Sequence, residues 1–179
     1  SDGTLHNLNE QGQLSSVVGG TDGTRKYLGY KDGDLDSVIT VRDNGLTSIQ
    51  LIRGNRVIWV RSDGESYTYD SRGRILFRVS RDGMIYRYRY GSSGRLSEIR
   101  VRRKNGVTVY RFYKSGQLKG IYYPNGSKEL FYANGLPKQI VYSDGTMQEF
   151  LYFDYGALKR IVTTDSFGRV ITELYNSDG

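Results

Sequence analysis

Few residues of this 179-residue chain combine the type and the spacing that chemistry requires. The only histidine is His6, so neither a catalytic triad nor a histidine-rich metal site is expected. Asp32, Asp34 and Asp36 have the spacing of a calcium loop, but Ser37 stands where that loop needs glycine, and no glutamate follows at its twelfth position. Capping of a turn is the role we favour for these carboxylates. We therefore predict no enzyme, no catalytic residue, no metal site and no cofactor.

The densest basic stretch, "RYRYGSSGRLSEIRVRRK" at 87–104, is the best candidate for binding a partner. The predicted partner-binding face consists of Tyr86, Arg87, Tyr88, Arg89, Tyr90, Arg100, Arg102 and Arg103. Its tyrosines could stack on bases while its arginines contact phosphates. The interpretation that we favour is a solvated strand face kept soluble by arginines, which disfavours a nucleic-acid partner and leaves peptide or glycan partners open.

The composition indicates a folded protein whose sheet faces are half exposed. Hydrophobic residues make up 37% of the chain and the mean hydropathy is −0.56, yet there are 16 tyrosines. Disordered segments are poor in aromatic residues, whereas tyrosine suits a half-exposed sheet surface because its ring is apolar and its tip polar. The sequence has no cysteine and no apolar run long enough to span a membrane. It begins at "SDGT" and stops at "YNSDG", so we expect a piece of a longer protein.

Glycine recurs along the whole chain at intervals of 9 to 12 residues. The series comprises Gly3, Gly12, Gly23, Gly33, Gly45, Gly54, Gly64, Gly73, Gly83, Gly94, Gly106, Gly116, Gly126, Gly135, Gly145, Gly156, Gly168 and Gly179. A period this regular is typical of a repeat architecture. We predict a single array over residues 1–179, with about eight full repeats and a partial one, and no second domain.

Two kinds of turn are predicted to alternate at these glycines. Asp-Gly and Asn-Gly pairs, such as those ending at Gly64, Gly83 and Gly126, predict tight two-residue hairpins. Stretches such as "KDGDL", "SRGRI" and "SSGRL" predict three-residue loops that close on a left-handed glycine. The glycines predicted to be essential to turn structure are Gly64, Gly73, Gly83, Gly94, Gly116, Gly126 and Gly156.

The segments between the turns alternate with the period of β-strands. "ESYTYD", "MIYRYRY" and "TVYRFY" are rich in Tyr, Val, Ile, Thr and Phe, and no segment has helical spacing. Strands joined by such short turns run antiparallel. The predicted fold is all-β: an antiparallel meander of about 17 short strands, built from two-strand repeats of 19–23 residues and forming an open curved sheet or strip.

The repeated phrase resembles the YD repeat, also called the RHS-like repeat. It stands as "SDGESYTYDSRGRI" at 62–75 and "RDGMIYRYRYGSSGRL" at 81–96. Similar repeats occur in bacterial RHS toxins, in the shells of insecticidal toxin complexes and in teneurins. The resemblance implies a structural segment of a larger secreted or cell-surface protein that contributes to a shell or a rod-like scaffold. The chain contains no Asp-Pro dipeptide, so the self-cleaving segment of many RHS proteins is not expected here.

A second resemblance supports an alternative function. "YYPNGSKELFYANG" and "VYSDGTMQEF" are similar to the G-box domain of centriole assembly proteins, an open sheet that binds partner peptides. The alternative is therefore an interaction module, cytoplasmic or exported, that binds a peptide, glycan or nucleic acid through an exposed aromatic and arginine face. Either reading predicts protein partners: neighbouring repeats of a longer parent chain, or further copies that associate edge to edge.

Overall fold

The computed structural model describes residues 4–19, 23–42, 44, 47–54 and 56–176. These residues form seventeen strands and no helix, and the strand pairs described below are antiparallel. The prediction of an all-β antiparallel meander is therefore confirmed. The chain divides into two compact units, Ser1–Ile85 and Tyr86–Gly179, and each is described by itself. Whether a single array runs through all 179 residues stays a prediction.

The first unit is a meander of eight strands in which each strand pairs with the next. They are β1 (Leu5–Leu8), β2 (Leu14–Val18), β3 (Arg25–Lys31), β4 (Asp34–Val41), β5 (Thr47–Arg53), β6 (Arg56–Ser62), β7 (Glu65–Tyr69) and β8 (Ile75–Val79). Within its described residues no pairing joins β1 to β8, so this unit is an open sheet.

The second unit repeats the same plan. Its strands are β9 (Ile85–Tyr90), which starts at the boundary, then β10 (Leu96–Arg103), β11 (Gly106–Phe112), β12 (Leu118–Tyr122), β13 (Lys128–Phe131), β14 (Pro137–Val141), β15 (Met147–Tyr152), β16 (Leu158–Thr164) and β17 (Val170–Leu174). The register aligns Ile99 with Tyr110 and Tyr110 with Ile121, so apolar residues that recur in sequence form a row across the sheet. Such cross-strand pairs are the unit of sheet stabilisation.

The turn glycines adopt the left-handed conformation that the pattern requires. Every described member of the glycine series has positive φ, including Gly73 at 75° and Gly94 at 78°. Gly3, Gly45 and Gly179 lie outside the described residues. At Gly73 the Asp70 N–H donates to the carbonyl of Arg74, and the Gly73 N–H donates to the carbonyl of Asp70. This is the three-residue loop that "SRGRI" predicts.

The predicted two-residue turn forms at Gly64, where Ser62 aligns with Glu65, but the predicted alternation of two turn kinds is wrong. Gly83, Gly126 and Gly145 follow Asp or Asn, yet their loops have the same hydrogen bonds as the Gly73 loop. Conversely, "KDGDL" forms a two-residue turn in which Asp32 has φ 52° and Lys31 aligns with Asp34. The physical reason is that Asp or Asn before glycine fits both turns. In the longer loop its side-chain oxygen accepts the N–H two residues on, as Asp144 does from Thr146 at 2.8 Å.

Both sheets have little interior. Among the described residues, Val101 is the one nearly fully buried hydrophobic residue, at 3% exposed, and no large side chain is fully enclosed. Most strand residues are half-buried because a single-layer sheet covers each face only with its own neighbouring side chains. The described residues include no helix that could cross a lipid bilayer.

Candidate functional site

Strand alternation divides the predicted partner-binding face between the two sides of the sheet. Arg89 of β9 contacts Glu98 of β10 at 3.5 Å, which places both on one side. Successive side chains of a strand point to opposite sides. The first side, which we name the arginine face, therefore presents Arg87, Arg89, Glu98, Arg100, Arg102 and Arg111. The other side, the tyrosine face, presents Tyr86, Tyr88, Tyr90, Ile99, Val101, Arg103 and Tyr110.

Glu98 organises the centre of the arginine face. Its carboxylate lies 2.7 Å from Nε of Arg100, 3.5 Å from Nη1 of Arg89 and 3.5 Å from Nε of Arg111. The Glu98 side chain is only 12% exposed, whereas the three arginine side chains remain 44–65% exposed. One largely covered carboxylate thus holds three partly solvated guanidinium groups.

The pKa of Glu98 reflects two opposing effects. Burial raises the pKa of this carboxyl group, while the hydrogen bond from Arg100 and the charges of Arg100 and Arg89 lower it. The arginines outweigh the burial, and the pKa lies below its ordinary value of 4.5. The carboxylate therefore stays ionised at neutral pH and keeps the guanidinium groups in place.

A second constellation recurs at five successive turns of the second unit. Each turn has an aromatic residue three positions before its glycine and a polar partner three positions after it. The pairs are Tyr113 with Lys119, Tyr123 with Glu129, Tyr132 with Lys138, Tyr142 with Gln148, and Phe153 with Lys159. We name these the turn pairs.

The chemistry of the turn pairs alternates between the two edges of the sheet. On one edge a lysine Nζ lies 5.5–5.7 Å from the centre of the aromatic ring, which is cation–π distance. On the other edge the tyrosine hydroxyl donates to the side chain of Glu129 or Gln148, in both cases at 2.8 Å. The hydrogen bond to Glu129, with burial, raises the pKa of Tyr123 to about 12.

Side chains at the turns also reach the following hairpin. The Tyr113 hydroxyl donates to the carbonyl of Phe131 at 2.7 Å, and the Tyr132 hydroxyl donates to the carbonyl of Phe150 at 3.3 Å. Arg95 donates to the carbonyl of Lys114 at 2.9 Å. In the first unit Gln13 bonds the carbonyl of Gly33 in the same manner. These bonds skip the intervening strand and tie hairpin to hairpin.

Sequence reasoning missed the turn pairs, although the signal is present in the sequence. An aromatic residue and a polar residue six positions apart bracket each turn glycine from Gly116 to Gly156. The earlier loop at Gly73 has Asp70 in the aromatic position, and its carboxylate pairs with Arg74 at 2.6 Å instead. The loop at Gly168 does the same with Asp165 and Arg169.

The described residues contain no group of three His, Asp or Glu side chains that could hold a metal ion. A concavity of about 660 Å³ in the first unit is lined by Val57, Val60 and Tyr69 together with Arg56 and Arg72. The described residues that line it include no carboxylate and no histidine.

Comparisons with known proteins give similarities to solved structures alone. No protein-family model matches the chain, and no curated protein matches it. A chain of the Photorhabdus luminescens Tc holotoxin pore is 18% identical, with a TM-score of 0.35, over 96% of this chain and 9% of its own length. The TCP domain of SAS-4 from Drosophila melanogaster, in complex with a proline-rich motif of Ana2, is 15% identical, with a TM-score of 0.37, over 96% of this chain and 90% of its own. At these scores no functional conclusion rests on either similarity.

Proposed function

We propose that this chain is a structural β-repeat segment that contributes to a shell or rod-like scaffold of a larger secreted or cell-surface protein and performs no catalysis itself. The observation that carries the proposal is the set of hydrogen bonds between successive hairpins. Tyr113 and Tyr132 occupy equivalent places and bond equivalent carbonyls, those of Phe131 and Phe150. The same interaction thus recurs in successive repeats, as expected of a repeat array in which each unit contacts its neighbours.

The distribution of burial supports the same function. Arrays of repeats bury each unit against its neighbours and do not need one central core. In the described residues the chain has this character, with half-buried strands and one nearly buried aliphatic side chain, Val101. A small-molecule site or a catalytic site would instead favour a concave site with converging polar groups.

The alternative, an interaction module with a combined aromatic and arginine face, receives less support from the geometry. That face would need Tyr88 and Tyr90 beside Arg89 and Arg100. Strand alternation places the tyrosines on the side opposite the arginines. The scaffold is therefore the function that we propose.

A pair of deletions tests whether the chain behaves as an array of equivalent units. Deleting residues 127–145 removes one whole two-strand repeat and joins Gly126 to Thr146. The Tyr113 hydroxyl then meets the carbonyl of Phe150, which is equivalent to that of Phe131. Deleting residues 127–135 removes half a repeat, so the remaining turn pairs move to the wrong edge of the sheet. This second deletion is the matched control.

We expect the whole-repeat deletion to keep the β-sheet circular dichroism spectrum and a cooperative unfolding transition. The half-repeat deletion removes less of the chain, yet it should melt at a lower temperature or fail to fold. If the whole-repeat deletion unfolds the protein as severely as the half-repeat deletion, or more so, the units are not equivalent and the scaffold proposal is wrong.

A further inference from the structure

The arginine face carries a large excess of positive charge. Arg87, Arg89, Arg100, Arg102 and Arg111 share it with a single carboxylate, that of Glu98. The register continues the same face to Lys128, because Arg100 aligns with Val109, Val109 with Tyr122 and Tyr122 with Lys128. Six cationic side chains and one anionic side chain therefore project from the same side of five neighbouring strands.

Glu98 positions these cations without neutralising them as a group. A guanidinium group has five N–H donors, whereas a carboxylate has about four acceptor sites. Glu98 contacts Arg89, Arg100 and Arg111, and those three side chains keep 65%, 44% and 51% of their surface exposed. Donors held in fixed positions and still accessible to solvent are suited to sulfate or phosphate oxygens.

The sheet arranges the cations as a regular grid. Arg87 and Arg89 are alternate residues of β9, and Arg100 and Arg102 are alternate residues of β10, so each pair is separated by about 7 Å along its strand. Neighbouring strands lie about 4.8 Å apart. A ligand that touches several points of this grid must itself be extended and carry several negative charges.

The tyrosines argue for a ligand that lacks bases. Single-stranded nucleic acids are held by stacking on aromatic rings as well as by charge. Tyr86, Tyr88 and Tyr90 lie on the opposite side of the sheet. The aromatic ring that borders the arginine face, Tyr122, is covered by the Arg111 guanidinium at 4.7 Å. The charge is available on this face, but a stacking platform is not.

We propose that the arginine face binds an extended sulfated polysaccharide. This interaction surface goes beyond the scaffold function, because a wall segment needs no ligand on this face. The arginines bind the sulfate groups, and Glu98 keeps the central guanidinium groups oriented toward them.

Heparin is the probe for this proposal, used with the full chain. Binding is measured by calorimetry across a series of salt concentrations for wild type and for Arg100→Gln/Arg102→Gln. The matched control is Arg53→Gln/Arg61→Gln, which removes the same charge from two exposed arginines of the first unit. Circular dichroism confirms that each variant keeps its fold.

We expect the Arg100/Arg102 variant to bind heparin at least about 10-fold more weakly, with a salt dependence that corresponds to about two fewer released counterions. The Arg53/Arg61 control should change affinity less than about twofold. Equal losses in the two variants would mean that heparin senses only net charge, and the proposal would be wrong. A single-stranded oligonucleotide of matched charge that binds more tightly than heparin would also overturn it, in favour of a nucleic-acid surface.

Discussion

Gly73 and Gly91 allow the same chemical change, glycine to alanine, to be tested in two backbone conformations. Gly73 has φ 75°, and an added Cβ would meet no heavy atom within 4 Å, so the cost of alanine there comes from the backbone alone. Gly91 does not have positive φ, and its added Cβ would meet only the Arg95 carbonyl oxygen, at an ordinary 3.8 Å. The two substitutions should therefore have effects of opposite sign.

The left-handed conformation costs an alanine about 1–2 kcal/mol relative to glycine. At about 2–4 °C per kcal/mol for a chain of this size, Gly73→Ala should lower the melting temperature by about 2–8 °C. Gly73→Val should lower it further, since a β-branched residue is strained more, and Gly73→Asn should lower it less. Gly91→Ala should raise stability by roughly 0.4–1 kcal/mol, because alanine restricts the unfolded chain.

Thermal melts followed by circular dichroism measure all four variants against wild type. A melting temperature that is unchanged or raised in Gly73→Ala would refute the assignment of a left-handed glycine at position 73, and a lowered one in Gly91→Ala would refute the expected gain at position 91. An unchanged melting temperature for Gly73→Val would refute the left-handed assignment as well.

Three further predictions concern the ion pairs, the tyrosines and the sheet edge. Because the pKa of Glu98 in the folded protein lies below 4.5, the stabilisation by its carboxylate is present above pH 4.5 and is lost as the pH falls through that folded pKa. The difference in unfolding free energy between wild type and Glu98→Gln, measured by urea titration at a series of pH values, should therefore shrink in acid. The pKa of Tyr123 is raised from 10.0 to about 12, so the stabilisation by its hydroxyl is present below pH 10 and is lost towards pH 12. In urea titrations, the unfolding free energy of Tyr123→Phe should therefore fall less between pH 10 and pH 12 than that of wild type. The side chains of β17 are exposed, with Ile171 at 64% and Leu174 at 77%, so we expect concentration-dependent association in light scattering that Thr172→Lys abolishes; a strictly monomeric wild type would contradict the open edge.

The repeat could be predicted from the sequence because its signals are local. A left-handed turn position favours glycine, so the spacing of glycines such as Gly73 and Gly94 indicates where the hairpins turn. A half-buried strand favours alternation of large apolar or aromatic residues with polar ones, as in "YTY", so the strands are visible as well. The turn type was harder to predict, because Asp before glycine is compatible with two loops. Asp32 adopts one of them and Asp82 the other.

The side-chain network could be predicted less well because it depends on which residues share a face and an edge. Tyr88 and Arg89 are adjacent in sequence but lie on opposite sides of the sheet, because successive side chains of a strand alternate. The prediction of one combined aromatic and arginine face did not take this alternation into account. The contact between Glu98 and Arg111 requires the register of β10 with β11. The bond from Tyr113 to Phe131 spans two strands, and no local pattern indicates it.

The central claim is that the chain is a meander of hairpins that are closed by left-handed glycines and joined to one another by hydrogen bonds. Amide hydrogen exchange measured by NMR tests this claim most directly. We predict slow exchange along β10 to β16, interrupted by fast-exchanging loop tips, among them 114–115, 133–134 and 154–155, which lie between the hydrogen-bonded turn positions. Protection should be similar from one strand to the next, since no single core dominates. Continuous protection through these loop tips, or strong protection confined to one segment with the remaining strands exchanging freely, would contradict the account.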